Sequence, residues 1–389
     1  MTGHIRRRGT SSFELKFEAG IDPVTRRRKI RYVSFKGTKK AAQIELARLI
    51  SEYAAGVGVD PSTTTLAEFL DRWERDWAKG NVSPKTLERY TEILRKHVRA
   101  RVGTVRIQKL RPADLATLYA TLLREGKGAG IGLAARTVGH VHRVLHRALG
   151  HAAQWGVVQQ NVASLVSPPR VPSTEIEALS PKQIQSVLQK LRGRTIYPIA
   201  VLALATGMRR GELLALRWQD VKLDRSIIQV ERSLEQTDAG LRFKAPKTRH
   251  GRRSVSLPPS AVAELRAHWK DQAALRLKLG MGKMPDDGLV FARWDGEPRH
   301  PDAFTKEWST AMKAAGLPGV TFHSLRHSHA SHLIASGLDV LTISRRLGHA
   351  NPTITLNVYG HLISNTDDRA AQIMESALAS PAGGNPVAT

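Results

Sequence analysis

The chain has 389 residues and a formal net charge of +26, from 60 Lys and Arg against 34 Asp and Glu. With 41% hydrophobic residues it can bury ordinary cores, so it is no disordered basic tail, and its charge points to a polyanionic partner, nucleic acid or an anionic surface. The lack of Cys excludes disulfides and thiol nucleophiles, and neither a membrane span nor a signal peptide is legible, so a soluble cytoplasmic protein is expected.

Residues 1–58 read as a small sheet followed by a helix. Residues 12–17 and 31–35 alternate apolar and polar side chains, with a turn expected over 22–25. Residues 39–53 place Ile44, Leu46, Ala47, Leu49 and Ile50 at helical spacing. Arg26, Arg27, Arg28 and Lys29 give this segment basic strands suited to a groove of DNA.

After a Gly, Pro, Ser and Thr-rich break, residues 63–162 read as a four-helix bundle. Thr65 and Glu68 fit a capping box, and Leu66, Phe69, Leu70, Trp73 and Trp77 form one apolar stripe for the core. Ser83 precedes Pro84 at the start of a second helix, and residues 111–114 open a third. The fourth, over 136–155, carries His140, His142, His146 and His151 with Arg143 and Arg147. No carboxylate or Cys accompanies them, so a polar, phosphate-facing surface is expected and not a metal site.

Pro168, Pro169 and Pro172 mark residues 167–177 as a semi-rigid linker. Beyond it, Ser180 and Gln183 form a second capping box, residues 197–205 a buried helix, and residues 227–230 and 254–257 strands. A hairpin turn is expected over 249–252. Residues 330–348 allow a helix-turn-helix reading with Gly337 at the turn. An amphipathic helix over 366–380 and a disordered tail over 381–389 close the chain. The fold class expected is mainly α with small β elements (α+β).

Chemistry concentrates in the last 200 or so residues. In chain order stand Arg209 within Thr206, Gly207, Met208, Arg209; Lys247 after Pro246; His323 and Arg326 as His-x-x-Arg; His349 after Leu347 and Gly348; and Tyr359. Cleavage of a phosphodiester needs a nucleophile, cations for the non-bridging oxygens and an acid for the leaving oxygen, and this set supplies all three. Arg210 competes with Arg209 for one role, and Lys244, Arg249, Arg252 and Arg253 surround Lys247. The i, i+4 pair His323 and His327 invites a zinc reading, but no carboxylate base accompanies it.

Five elements in this order resemble the catalytic set of the tyrosine recombinase, or phage integrase, family, over residues 175–365. The resemblance implies three DNA-engaging domains: a sheet-plus-helix arm-binding domain over 1–58, a helical, SAM-like core-binding domain over 63–162 and a mixed α/β catalytic domain over 175–380. It implies that Tyr359 attacks the scissile phosphate to leave a 3′-phosphotyrosyl bond, with Arg209 and Arg326 on the non-bridging oxygens. Lys247 would protonate the 5′-oxygen, His323 act as acid–base partner, His349 donate a hydrogen bond, and Glu212 orient Arg209. The expected function is site-specific integration and excision of a mobile element through a Holliday junction. The expected partners are double-stranded attachment sites, three further copies of the chain in a tetramer, the terminal helix docking on a neighbour, and a directionality factor; no metal, ATP or other cofactor is implied. A type IB topoisomerase and a non-catalytic DNA-binding regulator are the alternatives.

Overall fold

The computed structural model describes residues 3–21, 26–54, 59, 62–127, 130–172, 178–246, 249–360 and 367–378. The chain divides into two compact units, residues 1–173 and 174–389. Among the described residues no helix is long and apolar enough to cross a membrane.

The first unit opens with an antiparallel sheet of β1 (Gly3–Arg7), β2 (Ser12–Ile21) and β3 (Arg28–Lys36), in that order. Alternation along β2 puts Phe13, Leu15 and Phe17 on one face, where they pack on Ala42 and Leu46 of α1 (Lys39–Ala54). Two of the four basic residues expected on strands lie elsewhere. Arg26 precedes β3 in a left-handed conformation (φ 54°) and Arg27 occupies the bend after it. Arg28 begins the strand and is exposed, whereas Lys29 is half-buried, because successive side chains face opposite sides. The turn expected over 22–25 lies outside the described residues.

The bundle begins with α2 (Leu66–Trp73), which passes through π-helical turns at Glu74–Ala78 into α3 (Lys79–Asn81). Its N-terminus carries the expected box: Thr65 Oγ1 accepts from the Glu68 amide at 3.2 Å and Glu68 accepts from the Thr65 amide at 2.7 Å. Next come α4 (Pro84–Ile93), a π segment at Leu94–Arg99, α5 (Ala100–Val102), α6 (Pro112–Glu125) and α7 (Ala135–Gln154). Leu66, Phe69, Leu70 and Trp73 are buried in its core, while Trp77 packs at the margin.

The α7 histidines do not form one polar surface. His142 is buried and hydrogen-bonds the Tyr119 hydroxyl at 3.1 Å, and His151 accepts from the Trp73 indole at 2.7 Å. His142 lies on the inward side, whereas His151, half-buried on the opposite flank of the helix, is tied to the core through Trp73. His140, Arg143, His146 and Arg147 occupy the exposed side.

In the second unit, α8 (Pro181–Leu191) packs on α9 (Tyr197–Thr206), a helix apolar nearly all round, and a sharp turn leads to α10 (Arg210–Leu214). A sheet of β4 (Val221–Lys222), β5 (Ile227–Val230) and β8 (Arg253–Ser256) follows, interrupted by a hairpin of β6 (Ser233–Thr237) and β7 (Gly240–Lys244). β8 therefore pairs with β5, Val230 opposite Arg253, and residues 249–251 form a short 3₁₀ turn and not the expected hairpin bend. Then come α11 (Pro259–Lys278), α12 (Pro301–Ala314), α13 (Phe322–Ala335), α14 (Val340–Leu347), α15 (Pro352–Tyr359) and α16 (Asp367–Leu378). Phe304, Trp308 and Leu325 belong to the main core; Ala330, Ile334, Ile343, Leu347 and Tyr359 form a smaller one beneath the pocket described next.

Candidate active site

α9 ends where Gly207 turns left-handed (φ 64°), a conformation glycine adopts without a Cβ penalty. A Cβ there would also lie 2.6 Å from His329 and 2.8 Å from Leu347. The turn delivers Arg209 to the N-cap of α10, where Glu212 closes a box: its carboxylate accepts from the Arg209 amide at 3.0 Å and from the guanidinium at 2.8 Å. Arg209 Nη2 also donates to the Gly348 carbonyl at 3.0 Å. Arg210 points away, donating to the Pro301 carbonyl at 2.8 Å, so the rivalry between the two resolves to Arg209 at the pocket.

Glu212 is 3% exposed. Burial alone would raise its pKa, but Arg253 and then Arg209 outweigh burial and hold it below the ordinary carboxylate value. Arg253 is buried too, so it is a framework residue and no free phosphate contact.

α13 contributes three residues. Arg326, 3% exposed, donates to the carbonyls of Gly207 at 2.5 Å and Leu347 at 2.9 Å. Burial, then Arg209 and Arg253, push it down to about 9, with Glu212 opposing, so it stays cationic at neutral pH. His323 sits exposed at the pocket mouth. The wall behind it, with His327, Arg326 and Arg209, pushes it down to about 4. One turn on, His327 sets its ring edge-on to His323 at 4.6 Å, and its Nδ1 lies 2.7 Å from the Tyr359 hydroxyl.

α14 ends in a Schellman-type turn, with Gly348 left-handed (φ 68°) and the His349 amide donating to the Ser344 carbonyl at 3.0 Å. His349 Nδ1 is tied to Thr355 at 2.8 Å, and burial with Arg326, Arg209 and Arg253 pushes its pKa down to about 4. Tyr359 closes α15; burial pushes its phenol up to about 12, with Arg326 opposing.

The structure thus brings Arg209, Glu212, His323, Arg326, His349 and Tyr359 to one pocket of about 500 Å³. Lys247 lies outside the described residues; Pro246 before it and Gly251 after it line the same pocket. Lys244, also at the wall, is ion-paired with Glu235. Residues 330–348 form the end of α13, a turn with Gly337 left-handed (φ 80°) and α14, with His323 and Arg326 on α13 and His349 just beyond α14. Among the described residues no group of three metal-ligating side chains is placed to hold an ion. Arg26, Arg27, Arg28, Lys29, Arg143 and Arg147 all belong to the other unit. The sequence shows His327 only as the i, i+4 partner of His323 and Arg253 only as one of the cations around Lys247; the contacts of His327 with Tyr359 and of Arg253 with Glu212 have no signal in it. A cationic pocket with a buried phenol suits an anionic ester held on fixed guanidinium groups.

The chain is similar to known proteins in sequence and in fold. The Phage integrase family profile matches residues 177–365, and Phage integrase, N-terminal SAM-like domain, matches 65–123. An integrase of Streptomyces ambofaciens is 30% identical over 351 residues, covering 87% of this chain and 87% of that protein. The ICEBs1 integrase of Bacillus subtilis (strain 168) is 26% identical over 96% of this chain and all of that protein. The fold matches the Tn1549 transposon integrase in complex with a circular intermediate DNA (TM-score 0.65, 23% identity, 80% of this chain and 99% of that one). It also matches a lambda integrase tetramer bound to a Holliday junction (TM-score 0.54, 20% identity, 90% and 96%). The chain therefore belongs to the tyrosine recombinase, or phage integrase, family, enzymes that break and rejoin DNA strands in site-specific recombination.

Proposed function

We propose that the chain integrates and excises a mobile element, cutting double-stranded attachment sites through a 3′-phosphotyrosyl intermediate and resolving a Holliday junction. One observation carries the reading: the Tyr359 phenol shares a pocket with two guanidinium groups, Arg209 and Arg326, whose positions are fixed by Glu212 and by main-chain carbonyls. Guanidinium forks on the non-bridging oxygens would stabilise charge as it develops on the phosphate. Tyr359 attacks phosphorus, Lys247 protonates the departing 5′-oxygen, His323 exchanges protons at the mouth, and His349 donates a hydrogen bond to the phosphate. The intermediate keeps the energy of the cleaved bond, so rejoining draws on no other source.

The active assembly in this reading is a tetramer on DNA, in line with the tetramer of the lambda relative. Met374 and Leu378 of α16 are 57% and 76% exposed, which supports docking of this helix on a neighbouring copy. Arg28, Arg143 and Arg147 are exposed cations suited to phosphate contacts, and a directionality factor would select excision.

The test is incubation with a nicked duplex carrying the attachment site. Wild-type protein should form a covalent 3′ adduct, and Tyr359→Phe should bind the same duplex and form none. Absence of the wild-type adduct sinks the reading, and relaxation of plasmid lacking any site by monomeric protein would favour a topoisomerase instead.

A further inference from the structure

We propose that His327 is the proton acceptor for Tyr359, its Nδ1 taking the phenolic proton as the tyrosine oxygen bonds to phosphorus. The inference rests on the reading of Tyr359 as nucleophile and adds to it the group that activates that nucleophile.

A phenol 2% exposed cannot lose its proton to bulk water, and it needs an acceptor at hydrogen-bond distance. Among the described residues its hydroxyl has one such partner, His327 Nδ1 at 2.7 Å. His323, the more obvious histidine, has no hydrogen bond to the phenol among the described residues; it meets His327 edge-on at 4.6 Å and stands at the mouth. Among the described residues the charged and titratable groups facing His327 are His323 and Arg326 on its own helix and Tyr359 on α15. Burial, then Arg326, hold its pKa below the ordinary imidazole value, so the ring is neutral near pH 7 and Nδ1 can accept.

The step balances. The O–H bond of Tyr359 breaks and an N–H bond forms at Nδ1; the phenolic oxygen bonds to phosphorus; the bond from phosphorus to the 5′-oxygen breaks, and that oxygen takes a proton from the acid assigned above to Lys247. The imidazolium left beside the permanent charge of Arg326 is an unfavourable neighbour. It therefore returns its proton readily when the 5′-hydroxyl of the incoming strand displaces the tyrosine. His327 thus serves both halves of the cycle.

The experiment measures single-turnover adduct formation across roughly pH 6–9, on an ordinary nicked duplex and on one with a bridging 5′-sulfur at the scissile position. A thiolate leaves without protonation, so the sulfur substrate removes the need for the acid and keeps the need for the base. His327→Gln keeps a hydrogen-bond acceptor that cannot take up a proton. It should bind DNA like wild type, form adduct about 10²–10³-fold more slowly, and show a rate rising about tenfold per pH unit where wild type is level. Sulfur should rescue Lys247→Ala and leave His327→Gln slow. A rate for His327→Gln within about threefold of wild type with an unchanged pH profile would overturn the inference, as would its rescue by sulfur. His327→Asn, measured alongside, decides the matter if the Gln variant does not fold. Failure of the wild-type protein to form any adduct would overturn the recombinase reading itself, a separable result.

Discussion

Arg253 donates to Glu212 at 2.9 Å with both side chains buried, while the other carboxylate oxygen of Glu212 accepts from Arg209 at 2.8 Å. Arg253 also donates to the carbonyls of Arg346 at 2.6 Å and Gly251 at 3.1 Å. One carboxylate thereby joins the start of α10, the segment following Lys247 and the end of α14.

Removing that carboxylate leaves Arg253 buried without its counter-charge. Glu212→Ala is expected to lower unfolding free energy by about 3–5 kcal/mol in urea titrations, since breaking a buried pair strands the partner. Covalent adduct formation should fall with it. The converse change, Arg253→Lys, keeps the charge but not the fork, and should cost less in stability than in cleavage rate.

Acid should destabilise the second unit through His329. Its Nδ1 donates to the Leu204 carbonyl at 2.7 Å, and its Nε2 accepts from Arg346 at 3.1 Å, so a second proton would confront the arginine. Burial and then Arg346 push its pKa down to about 4. The folded value lies below the unfolded one, so the neutral ring's contribution is complete above about pH 6.5 and is lost as pH falls through 4. Denaturant midpoints at stepped pH should reveal a loss approaching 3 kcal/mol or so from this group, and His329→Gln should flatten the curve. His349 acts in the same direction.

Gly207→Ala joins a left-handed strain to a collision with His329 and Leu347, whereas Gly193 (φ 80°) has open space where its Cβ would be. Gly193→Ala should cost about 1 kcal/mol and leave cleavage intact. Gly207→Ala should cost more and also reduce cleavage, because the Gly207 carbonyl anchors Arg326. Thermal melts and adduct assays on the two variants check this.

On α7, Arg147 lies over the Trp77 ring at 5.5 Å and donates to the Tyr90 hydroxyl at 2.9 Å, and Arg143 pairs with His140 at 2.7 Å. If both touch phosphates, Arg143→Ala and Arg147→Ala should each reduce the salt slope of DNA binding by about 1, equally on cognate and unrelated duplexes. Slopes unchanged in filter-binding titrations would remove these residues from the interface.

Much of this was legible in the chain because the motif residues sit at helix ends, where caps and glycines announce themselves: Gly207 before Arg209, Gly348 before His349, Ser180 and Thr65 before their helices. What escaped depends on distant partners. β6 and β7 are short and mostly polar, and only pairing with each other makes them strands. The burial of His142 is decided by Tyr119, 23 residues away, and the role argued for His327 by Tyr359, 32 residues on. Local pattern carries no trace of either contact. The π-helical turns, too, have no periodic signature.

The pocket's cross-links end mainly on carbonyl oxygens: Arg326 on Gly207 and Leu347, Arg209 on Gly348, Arg346 on Ala205 and Ser256, His329 on Leu204. Every residue offers a carbonyl, so the receiving positions are free to drift in side-chain identity provided the chain keeps its path. Substitution libraries at Leu204, Ala205 and Ser256 should therefore be permissive for hydrophobic or small replacements, while such replacements at the donors should cost stability or cleavage. A scaffold written on one side in backbone can diverge widely and still hold its few donors in register.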